Sequence, residues 1–227
     1  LLASAGVDMT VRIWEAATGT ARLTYSGHAK EVNSVAWAPN ASALASGSDD
    51  HTAQVWQAAS GKQLYSAGGF LRYVAAVAWS PDSTRVIAGS GDYSVHVFDA
   101  TTGAHLVEYR QHTREINDVA WAPDGTRVGS ASTDGTVQLW DPNTGNPLLT
   151  YSGQSGSVLA LAWARDGGRI ASGGQDATVQ IWRPSDGKPL LTYRGAQSVT
   201  GKTSSGQPLG TVKALCWSPD GTRIASG

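Results

Sequence analysis

One stretch decides the fold: Ile116-Asn117-Asp118-Val119-Ala120-Trp121, Pro123-Asp124-Gly125, Arg127-Val128-Gly129-Ser130, Thr136-Val137-Gln138-Leu139-Trp140, Asn143-Thr144-Gly145, Pro147-Leu148-Leu149-Thr150-Tyr151. It holds four runs of strand length, rich in β-branched, aliphatic and aromatic residues. Between them lie turn signals such as Pro-Asp-Gly, in which proline presets φ and glycine accepts a left-handed backbone. No window of a dozen residues between the turns keeps an apolar stripe at helical spacing, so the reading is all-β.

Outward from this unit the pattern repeats. Trp14, Trp56, Phe98, Trp140 and Trp182 follow one another at intervals of 42 residues. Trp37, Trp79, Trp121 and Trp163 keep the same period, and the next member, Trp217, arrives after 54, so the last interval carries 12 extra residues. Four-stranded antiparallel units of this length predict the blades of a β-propeller, each sheet burying both faces against its neighbours. The domain expected is a single repeat array over residues 1–227 with an insertion near 195–210. Ser226 returns to the register of Ser4, so five blades either close on themselves or form part of a larger ring.

Composition narrows the function. The 227 residues are 41% apolar, enough for a core, and 17 basic against 18 acidic residues give a net charge of -1. Such a balance provides no field to steer nucleic acid or an anionic membrane, and neither is expected as a partner. The lone cysteine, Cys216, sits in the apolar run Ala214-Leu215-Cys216-Trp217 and is expected to pack as a small hydrophobe, as suits a reducing, cytoplasmic compartment.

The chain resembles the WD-repeat family, of the kind found in bacterial signalling proteins. The likeness rests on Gly27-His28, Val35-Ala36-Trp37, Leu44-Ala45-Ser46-Gly47-Ser48-Asp49-Asp50, Val55-Trp56 and the fuller Leu139-Trp140-Asp141. The resemblance implies a structural tetrad of histidine, serine, aspartate and tryptophan in each blade, linked by hydrogen bonds that let buried polar groups satisfy one another. His28, Ser46, Asp50 and Trp56 make one complete set, and His112, Ser130, Asp134 and Trp140 another. Phe70, Ala88, Asp92 and Phe98 keep only the aspartate, and Gln154, Ser172, Asp176 and Trp182 lack the histidine. Since members of the family more often have seven blades, the resemblance also admits a fragment of a seven-bladed ring.

A Ser-His-Asp trio invites a hydrolase reading, yet here it recurs in register with a tryptophan and is expected to be buried, whereas a nucleophile needs an open site and an oxyanion hole. His28, His51, His96, His105 and His112 show no metal-ligand spacing. His96 alternates with Val95 and Val97 and reads as a satisfied strand residue. Gly201-Lys202-Thr203 lacks the glycine spacing of a phosphate loop and reads as solvated. No catalytic residue, metal or cofactor is expected. The rival is a propeller enzyme, a quinone-dependent dehydrogenase or a hydrolase, which needs acids, histidines or metal ligands converging on a central channel.

The resemblance places partner contacts on the face carrying the histidine and aspartate turns. The matching positions are Glu31, Asn33, Asp49, Tyr73, Ala75, Gly91, Glu115, Asn117, Thr133, Ser157, Leu159, Gln175, Thr211 and Lys213, with Val7. The function expected is a non-catalytic scaffold or sensing module that binds a protein or peptide. The insertion, rich in Gly, Ser, Thr and Gln, is expected to be a mobile loop over or beside that face, either in contact with the partner or without a role.

Overall fold

The computed structural model describes residues 1–194 and 210–227. The insertion, apart from Gly210, and Gly201-Lys202-Thr203 lie outside the described residues. The chain forms two compact units, Leu1–Arg110 and Gln111–Gly227.

Unit 1 holds three antiparallel meanders. The first blade is β1 (Leu2–Ala5), β2 (Val11–Trp14) and β3 (Ala21–Tyr25); the second is β4 (Val32–Trp37), β5 (Ala43–Ser48), β6 (Ala53–Gln57) and β7 (Gln63–Ala67); the third is β8 (Val74–Trp79), β9 (Arg85–Ser90), β10 (Val95–Asp99) and β11 (His105–Tyr109). Unit 2 repeats the pattern. Its fourth blade is β12 (Ile116–Trp121), β13 (Val128–Ser132), β14 (Val137–Trp140) and β15 (Pro147–Tyr151); the fifth is β16 (Val158–Trp163), β17 (Ile170–Gly174), β18 (Val179–Trp182) and β19 (Pro189–Tyr193); a pair, β20 (Leu215–Trp217) and β21 (Ile224–Ser226), follows. Strands thus fall on the runs read from the sequence, and the all-β assignment of four-stranded blades holds. Among the described residues no helix is long and apolar enough to cross a membrane.

The burial patterns explain why these residues make blades. Every residue of β5, β13 and β17 is buried, as a strand packed on both faces requires. The outermost strands β7, β11 and β15 each bury only their last residue. The core therefore lies between adjacent sheets. One cluster joins Val11, Ile13 and Tyr25 to Leu44 and Trp56 of the next blade; in unit 2 another joins Val137 and Leu139 to Leu161, Ile170 and Trp182. Trp56, Trp140 and Trp182 are wholly enclosed, and truncating such a side chain typically costs about 3–5 kcal/mol.

Cys216 corrects the sequence reading, because it is exposed rather than packed. Strand alternation decides this: its neighbours Leu215 and Trp217 face the cluster formed with Ala171, Val179 and Val212, so the residue between them points away.

Candidate interaction face

The histidine, serine and aspartate of both sets meet through short links, and in the second blade the tryptophan joins them. In the second blade His28 Nε2 lies 2.8 Å from Ser46 Oγ, His28 Nδ1 lies 2.8 Å from Asp50 Oδ2, and Trp56 Nε1 donates to Ser46 Oγ at 3.3 Å. In the fourth blade His112 lies 2.8 Å from Ser130 Oγ and 2.7 Å from Asp134 Oδ2, above the enclosed Trp140. Burial works against the charge on Asp50, but hydrogen bonds from Thr52, the Ala29 amide and His28 outweigh it and hold its carboxyl below the usual range. Asp134 is likewise lowered: burial opposes its charge, and His112, Thr136 and the Thr113 amide overcome that.

The incomplete sets are filled differently. In the third blade His96 is buried, stacked on Phe98 with ring centroids 6.0 Å apart and edge-on to Phe70 at 4.6 Å. Its Nε2 lies 2.9 Å from Ser94 Oγ and its Nδ1 lies 3.0 Å from His105 Nε2. Asp92 still accepts from the Leu71 amide at 2.8 Å and from Ser94. In the fifth blade Gln154 stands in the histidine position, accepting from Ser172 Oγ at 3.2 Å through Oε1. Trp182 Nε1 donates to Ser172 Oγ at 3.2 Å, and Asp176 accepts from the Ser155 amide at 2.9 Å.

The inner strands carry several of the positions expected to contact a partner. Their pairing slips between Val32 and Ser34, Val74 and Ala76, Ile116 and Asp118, and Val158 and Ala160. Asn33, Ala75, Asn117 and Leu159 are therefore bulge residues, whose side chains a bulge re-aims. In unit 1 the structure brings Asn33, Asp49, Tyr73 and Ala75 around a depression of about 400 Å³. Glu31 is exposed beside them, its carbonyl accepting from the Asp49 amide at 2.9 Å. Tyr73 is held flat over Gly91, where an added Cβ would lie 2.5 Å from its ring. Val7 is exposed on the first blade. In unit 2 Thr133, Ser157 and Gln175 line a groove of about 500 Å³. There Glu115 O accepts from the Thr133 amide, Leu159 and Thr211 are half-buried, and Lys213 is exposed. Ser157 is buried, 3.5 Å from Thr133 O, so its hydroxyl is turned into the fold.

Two residues expected at the contact face, and several the sequence reading passed over, carry the contacts between neighbouring blades. Asn33 Nδ2 donates to Asp49 Oδ1 at 2.7 Å and across to Val74 O at 3.1 Å; Asn117 Nδ2 reaches Val158 O at 2.8 Å. Both asparagines thus already have structural work. Tyr25 Oη donates to Gln54 Oε1 of the next blade at 2.6 Å and its ring stacks on Trp56; Tyr151, Gln180 and Trp182 repeat the arrangement. This explains the glycine of Gly27-His28, since a Cβ there would fall 2.2 Å from Tyr25 Oη. A signal existed: Tyr109, Tyr151 and Tyr193, like Gln138 and Gln180, follow the 42-residue period.

The comparisons agree with this architecture. The WD40 family, described as WD domain, G-beta repeat, matches residues 19–57, 61–99, 103–141, 145–183 and 199–227. Each of the first four segments opens on an outermost strand and runs through the next three strands of the chain, as 19–57 takes in β3 to β6. Coronin-7 of Mus musculus is 47% identical over 45 residues, covering 20% of this chain and 5% of that protein. Coronin-7 of Homo sapiens is 44% identical over 45 residues with the same coverage. The chain therefore matches only a small part of the length of these curated relatives. With repeat matches over well more than half of its residues, the chain belongs to the WD-repeat family.

Proposed function

We propose that the chain is a non-catalytic recognition module that binds a basic or polar segment of a protein through the histidine-and-aspartate ends of its blades, and that residues 1–227 act as one repeat array. The observation that carries this reading is the depression of unit 1. It combines the Asp49 carboxylate with the half-buried Tyr73 ring, and Glu31 is exposed beside it. A lysine or arginine gains there both a carboxylate and an aromatic face, and rigid aromatic anchors dominate interface energies. Family membership and the likeness to Coronin-7 support a scaffold role. Against the enzyme reading stands the placement of Ser46 and Ser130, each 0% exposed, where no substrate reaches a hydroxyl nucleophile.

A peptide array with lysine or arginine beside an aliphatic residue tests the proposal. Tyr73→Ala is expected to weaken a bound peptide by about tenfold or more. Asp49→Asn, which keeps an acceptor for Asn33, should weaken it several-fold, and neither variant should lower the melting temperature much. If no basic peptide binds, or the variants bind it unchanged, the reading fails.

A further inference from the structure

At one outer corner of the third blade two large apolar side chains stand in solvent: Leu71, 74% exposed, follows Phe70 in the histidine position, and Tyr93, 38% exposed, follows Asp92. The same two positions hold Ala29 and His51 in the second blade, Thr113 and Gly135 in the fourth, and Ser155 and Ala177 in the fifth. The third blade is thus set apart from those three, and apolar surface gathered at one place marks a contact site where scattered residues do not. Backbone links join this corner to the acidic depression of unit 1. Asp92 accepts the Leu71 amide at 2.8 Å, the Gly91 amide donates to Tyr73 O at 2.9 Å, and the Tyr73 ring lies over Gly91. Segments 71–73 and 91–93 are therefore laced together, with Tyr73 lining the depression and Leu71 and Tyr93 lying outside it. Leu71 is two residues from Tyr73, so their Cα atoms are no more than about 7 Å apart. The cations bordering the corner are Arg72, which donates to Gly91 O at 3.4 Å, and Arg110, which pairs with Glu108 and donates to Asp92 O at 3.5 Å. A partner's cation is drawn to Asp49, but a second one is disfavoured at the corner.

We propose that Leu71 and Tyr93 form a second anchor for the segment bound in the depression. An extended chain with lysine or arginine at Asp49 and Tyr73 sets an aliphatic side chain, two residues along, on the Leu71–Tyr93 corner. In an extended strand residues i and i+2 project to one side about 7 Å apart, which matches the reach from Tyr73 to Leu71. This anchor presupposes the basic-segment reading of the depression, and adds to it the spacing and the chemistry of a second residue.

The test is fluorescence anisotropy of the full chain with labelled peptides, each carrying one lysine and one leucine one to four residues to either side in a glycine-serine background, beside a lysine-only peptide. A leucine two residues from the lysine should tighten binding about fivefold over the lysine-only peptide, and a second lysine in its place should remove the gain. Leu71→Ser and Tyr93→Gly bring in residues that other blades carry at these positions. Tyr93 already holds φ of 75°, where Gly135 takes 86°, so neither variant should lower the melting temperature. Each should cut the leucine gain several-fold and leave the affinity of the lysine-only peptide as it was. Peptides that bind through Asp49 and Tyr73 but prefer a spacing of one, three or four, gain nothing from leucine, or keep the gain in both variants would overturn the second anchor alone. Binding of no lysine peptide, or binding unmoved by Tyr73→Ala and Asp49→Asn, would remove the depression reading and the anchor with it.

Discussion

The second and third blades solve one packing problem in two ways. In the second, His28, Ser46 and Trp56 fill the space above the turn with a chain of hydrogen bonds. In the third, Phe70, Ala88 and Phe98 occupy those positions, and His96 stacks into the aromatic cluster from a register position held by Gln54 in the second. The aspartate survives in both. Asp50 and Asp92 each accept one amide from the preceding loop, at 2.9 and 2.8 Å, and each binds the residue two places on. The aspartate is thus a turn residue first, whereas between these two blades histidine, serine and tryptophan are all exchanged.

The comparison breaks most sharply at His28. His28→Ala strands Ser46 and Asp50 inside the fold and opens a cavity, and urea melts should show a loss of about 2–4 kcal/mol. Changing His28→Phe, Ser46→Ala and Trp56→Phe together imports the third blade's set. That triple variant should lose at least about 1 kcal/mol less than the sum of its single changes. Strict additivity would mean that the sets are not exchangeable units.

A smaller effect separates the aspartates. Asp50→Ala and Asp92→Ala should each cost about 1–3 kcal/mol, because each removes several turn bonds. Their difference should not exceed about 1.5 kcal/mol, since only the bond to histidine distinguishes them. Asp134→Ala should follow Asp50→Ala. A nearly neutral Asp92→Ala would show that the turn bonds count for little and that the histidine link is what matters.

The smallest net effect concerns pH, because buried His96 and half-buried Asp118 oppose each other. Burial pushes His96 down to about 4, so the stability it contributes is present above its ordinary pKa of 6.5 and is lost as pH falls toward 4. Desolvation pushes Asp118 up to about 7, against hydrogen bonds from the Leu161 and Val119 amides, so its contribution is present below 3.8 and is lost as pH rises through 7. His96→Gln, the residue of the second, fourth and fifth blades, should leave unit 2 losing stability from about pH 4 to pH 7. Asp118→Ser imitates Ser34, which accepts the Val77 amide at 3.2 Å in unit 1, and should leave the opposite slope. Identical slopes in the two variants would contradict both assignments.

Much of this molecule is local and therefore legible along the chain. The strand runs, the Pro-Asp-Gly turns, the 42-residue period and the grouping of His28, Ser46, Asp50 and Trp56 all follow from residue types at fixed offsets. The candidate face was legible as positions but not as roles. Nothing local announces that Asn33 sits on a bulge and is tied to Val74 O, or that Ser157 turns its hydroxyl inward. The insertion near 195–210, expected beside the face, lies outside the described residues apart from Gly210.

The sequence by itself determined the blade, because a strand's alternation, a turn's φ requirements and a repeated tryptophan are properties of contiguous residues. Only the tertiary structure decided which polar atoms are satisfied, because their partners come from another strand or another blade. Tyr25 meets Gln54 across 29 residues, and Asn117 meets Val158 across 41. Gln154 Nε2 has no hydrogen-bond partner among the described residues for the same reason. Its identity is one letter in a repeat, but its unsatisfied state depends on what Ser172 and Trp182 have already used.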